Sequence, residues 1–194
     1  MATFKRKSKG LHDLLEHGLK DIYYAEKQIH KSLPKMIKAA EDEDLKQGLS
    51  DHREETADQI TKLEEIFKLM ELPLKGEKCD AIDGILEEGN GILDDFGETP
   101  AGDAAIIFSC QAVEHYEITR YGSMHAFATA LGLDEVADLL ADILEQEKAA
   151  DEKLSTLADS RVNYAAKAGD DEPLSMRSGK GKTGTRKSPS SATR

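Results

Sequence analysis

The chain lacks tryptophan and is poor in the residues that build sheets or disulfide frameworks. Aromatic residues make up 5% of its 194 residues, and there are five prolines and two cysteines. No apolar run reaches about eighteen residues and none follows the basic N-terminus, so neither a transmembrane helix nor a secretory signal is expected. Cys79 and Cys110 show neither zinc-site spacing nor a CxxC pattern. We therefore expect a cytoplasmic protein with two reduced thiols.

The net charge of -12 is distributed unevenly along the chain. Residues 1–10 and 167–194 each carry +4, so the body between them carries -20. Such an acidic body is a poor surface for phosphate groups, and the basic tails have no aromatic residues interleaved with their charges. We expect residues 1–10 and 167–194 to be disordered and solubilising. We therefore expect no nucleic-acid binding by this protein, except weakly through the tails.

Four long segments have apolar residues at alternating spacings of three and four, which is typical of helices packed along one seam. They cover about residues 11–41, 44–71, 100–131 and 134–166, and together they make one domain over residues 11–166. Residues 77–98 are interrupted by glycines but keep one apolar side, which predicts a short helix or two. A long connection at this place is typical of ferritin-like bundles. We predict an all-α, ferritin-like four-helix bundle with one long, partly helical crossover between helices two and three.

Capping residues predict the boundaries of the last two long helices. Thr99 can cap the third helix, with Pro100 at its first position and Asp103 in its first turn. Gly132 is expected to end that helix. The fourth helix is expected to continue to about Ala166.

Glutamates occupy the middle of each seam, where apolar residues are expected. An unpaired buried carboxylate costs several kcal/mol, so a converging set needs a shared positive charge. Helical spacing brings Glu114 to the same face as Glu117 and Glu147 to the same face as Asp151. The candidate metal ligands are Glu26, His52, Glu55, Glu114, Glu117, Glu147 and Asp151. An oxygen-rich set favours hard cations such as manganese, iron, magnesium or calcium.

Ordinary structural roles are alternatives for several of these residues. Glu26 could reach solvent from the edge of its seam, and Glu114 could pair with Arg120. Asp151 could lie on the solvated face of its helix. His52 could be a ligand, or a buried imidazole bonded to a neighbouring carboxylate. The tyrosines beside the seams are expected to be core residues whose hydroxyls find partners: Tyr23, Tyr24, Tyr116 and Tyr121.

Five short stretches resemble the YciE/YciF family of bacterial ferritin-like stress proteins, and the likeness extends over about residues 11–165. They are LHDLL at 11–15, DIYYAE at 21–26, GEKC at 76–79, VEHYE at 113–117 and DEKL at 151–154. The fourth also looks like the Glu-x-x-Glu segment of rubrerythrins. By that resemblance Glu26, Glu55, Glu114, Glu117 and Glu147 match the ligands of a dinuclear centre. This chain departs from the rubrerythrin pattern because Asp58 and Ala150 stand where the downstream histidines would be.

The resemblance implies a role in the stress response and a dinuclear iron or manganese cofactor. One hypothesis is a redox protein that consumes peroxide or oxidises ferrous iron. A second is a non-enzymatic metal-binding or structural protein that acts through protein partners. A third is association with DNA through the basic tails, which the acidic body disfavours. The apolar side of the crossover, with Ile82, Ile85, Ile92 and Phe96, predicts packing on the bundle or a homodimer contact.

Overall fold

The computed structural model describes residues 9–170, and every regular element in that part of the chain is helical. The elements are α1 (Leu11–Ala39), α2 (Glu43–Leu69), α3 (Asp80–Phe96), α4 (Gly102–Leu131), α5 (Asp134–Leu157), a π-helical turn (Ala158–Val162) and α6 (Asn163–Asp170). The predicted all-α class is therefore confirmed for this part. The tail predictions for residues 1–8 and 171–194 lie outside the described residues. None of the described helices is long and apolar enough to cross a bilayer.

The four longest helices pack in a ring in which α1 contacts α2 and α4, and α5 contacts the same two helices. Cross-helix contacts give their directions. Glu55 of α2 lies near Lys153 of α5, whereas Lys62, further along α2, lies near the earlier Asp142. The same holds for α1 with α4 and for α4 with α5: residues later in one helix contact residues earlier in the other. Neighbouring helices are therefore antiparallel around the ring, and their apolar seams meet in one core.

The crossover forms a single helix, α3, which packs on α4 and α1. Its apolar side is buried against these helices, with Ile82 and Leu93 almost inaccessible to solvent. Gly89 allows the close approach to α4, because a Cβ there would lie 3.3 Å from the Cβ of Ser109. The prediction of a partly helical crossover is confirmed. Phe96, at the end of this helix, remains 48% exposed.

The start of α4 differs from the sequence prediction. The helix begins at Gly102 with Ala101 before it, so the predicted cap at Thr99 is wrong. Asp103 lies in the first turn of α4, as predicted, and it also bonds a neighbouring segment. Its carboxylate accepts hydrogen bonds from the backbone N–H groups of Glu41 (2.8 Å) and Asp42 (2.9 Å), and thereby ties the α1–α2 connection to α4. The predicted end at Gly132 is confirmed, with φ 70°.

The last predicted helix continues past Ala166 to Asp170, but a π-helical turn interrupts it. The prediction of one helix from Asp134 to about Ala166 is therefore wrong in its last part, because the structure divides that part between the π turn and α6. Arg161, in the π turn, reaches back to the start of α2 and bonds Asp42 and Asp44 at 2.6 Å each. Asp42 is also the N-cap of α2 and accepts from two of its first backbone N–H groups. One guanidinium thus joins the end of α5 to the beginning of α2.

Candidate metal centre

Four donor residues from three helices converge in the middle of the ring. His52 comes from α2, Glu114 and Glu117 from α4, and Glu147 from α5. One ligand atom from each lies within 4.8 Å of all the others, and all four side chains are buried. Helical spacing explains the convergence, since each residue lies near the middle of its helix and the helices pack at one height.

Glu26 of α1 joins the cluster through Glu117. Burial, and then the charge of Glu26, raises the pKa of Glu117. The hydroxyl of Tyr121 donates to Oε1 of Glu26. Glu26 is fully buried, so the alternative in which it reaches solvent is wrong.

Burial sets the protonation of the carboxyl groups in the absence of a cation. It raises the pKa of Glu26 to about 8, with the charge of Glu147 adding to the effect. It raises the pKa of Glu147 to about 7. The pKa values of Glu114 and Glu117 are also raised well above the usual range, first by burial and then by the neighbouring carboxylates. The cluster therefore holds protons that a surface carboxylate would release.

His52 is held as a neutral imidazole at the edge of this cluster. Burial lowers its pKa to about 4, with a smaller contribution from Lys153. Its Nε2 lies 3.3 Å from Oε1 of Glu114, and its Nδ1 lies 3.9 Å from Oε2 of Glu55. Neither ring nitrogen has a hydrogen-bond partner of suitable geometry among the described residues. A neutral imidazole with a free lone pair is the form that binds metal ions.

Glu55 and Asp151 lie at the periphery of the cluster. The side chain of Glu55 is one-third exposed, between His52 and Lys153. Asp151 lies 3.3 Å from Nε2 of the exposed His115 and accepts a hydrogen bond from Gln111. The structure therefore brings five of the seven predicted ligands into the buried centre and leaves two nearer the surface.

Among residues 9–170, the buried carboxylates have no lysine or arginine partner. The predicted alternative of a pair between Glu114 and Arg120 is not found, because that guanidinium lies over the ring of Tyr116, 5.1 Å from its centroid. Instead, several buried oxygens have no hydrogen-bond partner at all: one each on Glu26, Glu114, Glu117 and Glu147. Orphaned buried acceptors of this kind fit a cation, which needs lone pairs that point at it.

Two further residues orient the cluster and were not among the predicted ligands. Nε2 of Gln59 donates to Oε1 of Glu147 at 2.5 Å, and Tyr121 supports Glu26 as described above. The sequence carried a signal for Gln59, which lies on the seam of α2 one turn after Glu55. For Tyr121 the prediction of a core tyrosine whose hydroxyl finds a partner is confirmed.

Both cysteines lie outside the centre and are free thiols, as predicted. Cys79 lies 3.1 Å from the hydroxyl of Tyr116. Burial raises the pKa of Cys110 to about 12, so this thiol stays protonated. Neither residue is placed to supply a thiolate to the cluster.

The fold and the site together define a class: an all-α bundle with a carboxylate and histidine cluster at its centre. Residues 10–167 match a protein family described as a domain of unknown function, DUF892. The chain is 40% identical to protein YciF of Escherichia coli K12 over 159 residues, which is 81% of this chain and 96% of that protein. The chain belongs to this family, as the resemblance in its motifs predicted.

Solved structures of relatives agree with the fold. The E. coli stress protein YciF aligns with a TM-score of 0.76 and 39% identity, over 80% of this chain and 99% of that one. YcfI of Rhodopseudomonas palustris, to which a structural role has been ascribed, aligns with a TM-score of 0.75 and 48% identity, over 79% and 98%. A protein of Xanthomonas campestris at 23% identity has a TM-score of 0.61, over 83% and 99%, and adds support for the fold alone.

Proposed function

We propose that the protein is a stress-response protein that binds a dinuclear iron or manganese centre in its buried carboxylate cluster. One observation carries the proposal: His52, Glu114, Glu117 and Glu147 offer ligand atoms within 4.8 Å of one another, buried and without a lysine or arginine partner among residues 9–170. With Glu26, these three glutamates make four acids in a core without a counter-charge, which costs stability and serves no packing purpose. A bound cation would supply the missing counter-charge.

Charge balance favours two divalent ions over one. Glu26, Glu114, Glu117 and Glu147 are the fully buried carboxyl groups of the cluster, and two divalent cations neutralise four carboxylates. Because the pKa values of all four carboxyl groups are raised, metal binding would displace protons from them. A donor set of four carboxylates and one imidazole suits iron or manganese better than copper or structural zinc.

The residues of this chain would have two roles at such a centre: some would bind the ions and others would orient the ligands. The four carboxylates and His52 would hold the ions, with Glu55 close enough to His52 to act as an outer ligand. Gln59 and Tyr121 would fix the orientation of Glu147 and Glu26, as supporting residues do around metal ligands. When bound, iron or manganese supplies one-electron chemistry toward dioxygen or peroxide. We propose peroxide consumption or ferrous-iron oxidation as the activity.

We further propose that the ring of α1, α2, α4 and α5 is a ferritin-like four-helix bundle. Its antiparallel neighbours and its long crossover through α3 support this assignment. Free thiols and the stress role of a close relative favour the cytoplasm. A homodimer through the crossover side, where Phe96 is exposed, is the assembly we propose.

A non-enzymatic function is the second candidate. Asp58 and Ala150 replace the two downstream histidines of the rubrerythrin pattern, so His52 is the only imidazole within the cluster of described residues. A site with fewer neutral ligands could store or sense a cation without turnover. Assays of peroxide loss and ferrous-iron oxidation by the metal-loaded protein separate the two candidates.

Metal analysis of protein purified without chelators tests the proposal. Two equivalents of iron or manganese per chain are expected. The variant Glu147→Gln should lose metal, whereas Glu145→Gln, which changes a mostly exposed residue on the same helix, should keep it. The proposal would be overturned if the native protein bound neither iron nor manganese.

A further inference from the structure

A second feature adjoins the metal centre: a cavity of about 670 Å³ between α2 and α5. We call it the α2–α5 cavity, and its walls and floor include Leu45, Leu49, Leu154, Leu157, His52 and Glu114. Its volume lies in the range of sites for small organic molecules, roughly 300–1,000 Å³. On the other side of the same histidine, beneath α3, a cavity of about 30 Å³ has space only for a water or a diatomic molecule. Dioxygen or hydrogen peroxide alone would not need the larger space.

Two residues at the floor of the α2–α5 cavity, His52 and Glu114, carry buried polar atoms that have no partner within the described residues. His52 is 7% exposed and Glu114 is 2% exposed. Both nitrogens of His52 and Oε2 of Glu114 lack hydrogen bonds. Unpaired buried groups of this kind are costly, and the polar end of a ligand at the floor would lie beside them.

The walls of the cavity are apolar. Leu45 and Leu49 of α2 are almost fully buried beneath it, and Leu154 and Leu157 of α5 face it half-buried. Small residues leave the space between these walls, since Gly48 has no side chain and its Cβ position meets nothing within 4 Å. A molecule with an apolar body would bury the exposed parts of Leu154 and Leu157 at about 25 cal/mol per Å², and it would pack over Leu45 and Leu49, which have almost no exposed surface of their own.

Charges at the rim disfavour anions. Four carboxylates and two basic groups line the cavity: Asp44, Asp51, Glu55, Glu152, Lys153 and Arg161. Arg161 is already bonded to Asp42 and Asp44. Lys153 lies 3.9 Å from Glu55. The remaining field is negative and would repel a carboxylate or phosphate ligand.

We propose that the α2–α5 cavity binds an organic molecule that has an apolar body and no negative charge, with its polar end at His52 and Glu114. The binding follows from the cavity itself. The role of the molecule as a substrate of the metal centre rests on the proposed function, because the floor residues are also proposed ligands.

Calorimetric titration of octan-1-ol and of octanoate into the full chain tests the charge and size of this site. Octan-1-ol is expected to bind one molecule per chain, and octanoate about tenfold or more weakly, because only the head group differs. No binding of octan-1-ol, or equal binding of octanoate, would overturn the proposal. Metal content is measured on the same sample. Octan-1-ol binding without metal uptake would defeat the proposed function and leave the cavity assignment standing; metal uptake without octan-1-ol binding would do the reverse.

Two matched variants locate the bound alcohol. Gly48→Phe and Gly91→Phe both replace an exposed helical glycine whose Cβ position meets nothing within 4 Å, but only Gly48 lines the cavity. Gly48→Phe should abolish octan-1-ol binding and Gly91→Phe should retain it. Ala149→Phe, from α5, gives the same block if the first variant fails to fold. Binding that survives either folded cavity variant, or a change of sedimentation in Gly48→Phe that marks the cavity as a subunit contact, would overturn the proposal.

Discussion

The metal-free protein should lose stability as the pH rises from 6.5 to 8. Burial raises the pKa of Glu147 to about 7 and that of Glu26 to about 8, from an ordinary value of 4.5. The folded state therefore keeps protons that the unfolded chain has released. A group with a raised folded pKa contributes stability at low pH, and that contribution is lost as the pH rises through the folded value.

The size of the loss follows from these two values. His52 has the opposite sign, because burial lowers its pKa to about 4 from 6.5; it opposes folding only below about pH 6.5. From pH 6.5 upward, folded Glu147 keeps its proton over about half a pH unit, up to its pKa of about 7. Folded Glu26 keeps its proton over about one and a half pH units, up to its pKa of about 8. Together these make about two pH units, which lower the free energy of unfolding by roughly 3 kcal/mol. For a chain of this size that is a fall in Tm of about 6–12 °C.

Circular dichroism of chelator-treated protein at several pH values measures this change. Saturating manganese should remove most of the pH dependence, because ligation ionises the carboxyl groups in the folded state as well. Glu147→Gln should remove the smaller share contributed by that residue, while the exposed Glu54→Gln should behave as the native chain. A Tm of the metal-free protein that stays constant or rises between pH 6.5 and 8 would refute the reasoning.

Three further results are expected. Glu114→Ala should abolish metal uptake and leave the metal-free protein as stable or more so, because one buried acid is gone; equilibrium dialysis that finds the native stoichiometry would remove this residue from the ligand set, and Glu54→Ala is the control. Tyr121→Phe should lower the free energy of unfolding by about 1–3 kcal/mol in urea titrations, because an oxygen of buried Glu26 loses its donor; an unchanged value would show that the bond contributes nothing. Sedimentation should find a dimer that Phe96→Glu weakens, since this residue is exposed on the crossover; a large cage or a native monomer would contradict the proposed assembly.

The sequence was sufficient to predict the helices because their apolar seams are long and regular. The interruptions by Glu26, Glu114, Glu117 and Glu147 stood out from those seams, and all four are buried in the structure. A seam of period 3.6 fixes which face of a helix is buried, so buried acids could be identified before any coordinates were known.

The parts that could not be predicted depend on side-chain choices between helices. Asp103 is a first-turn acid of α4, as predicted, but the sequence gives no sign that its carboxylate also bonds the backbone of the neighbouring connection. The π turn has no residue pattern that separates it from the α-helix around it. The position of Asp151 depended on a small rotation of α5, and spacing along one helix does not fix such a rotation.

The buried cluster is divided between two helical hairpins, and this division has a consequence for folding kinetics. The α1–α2 hairpin contributes Glu26 and His52, and the α4–α5 hairpin contributes Glu114, Glu117 and Glu147. Each hairpin is joined by a short turn and closes through local contacts, so it can form early. Docking the two hairpins buries these acids and adds Glu26 to the other three, and protons or metal ions are needed from that moment. Metal should therefore act chiefly by slowing the separation of hairpins that have already formed, which would make it a regulator of the unfolding rate more than of the folding rate.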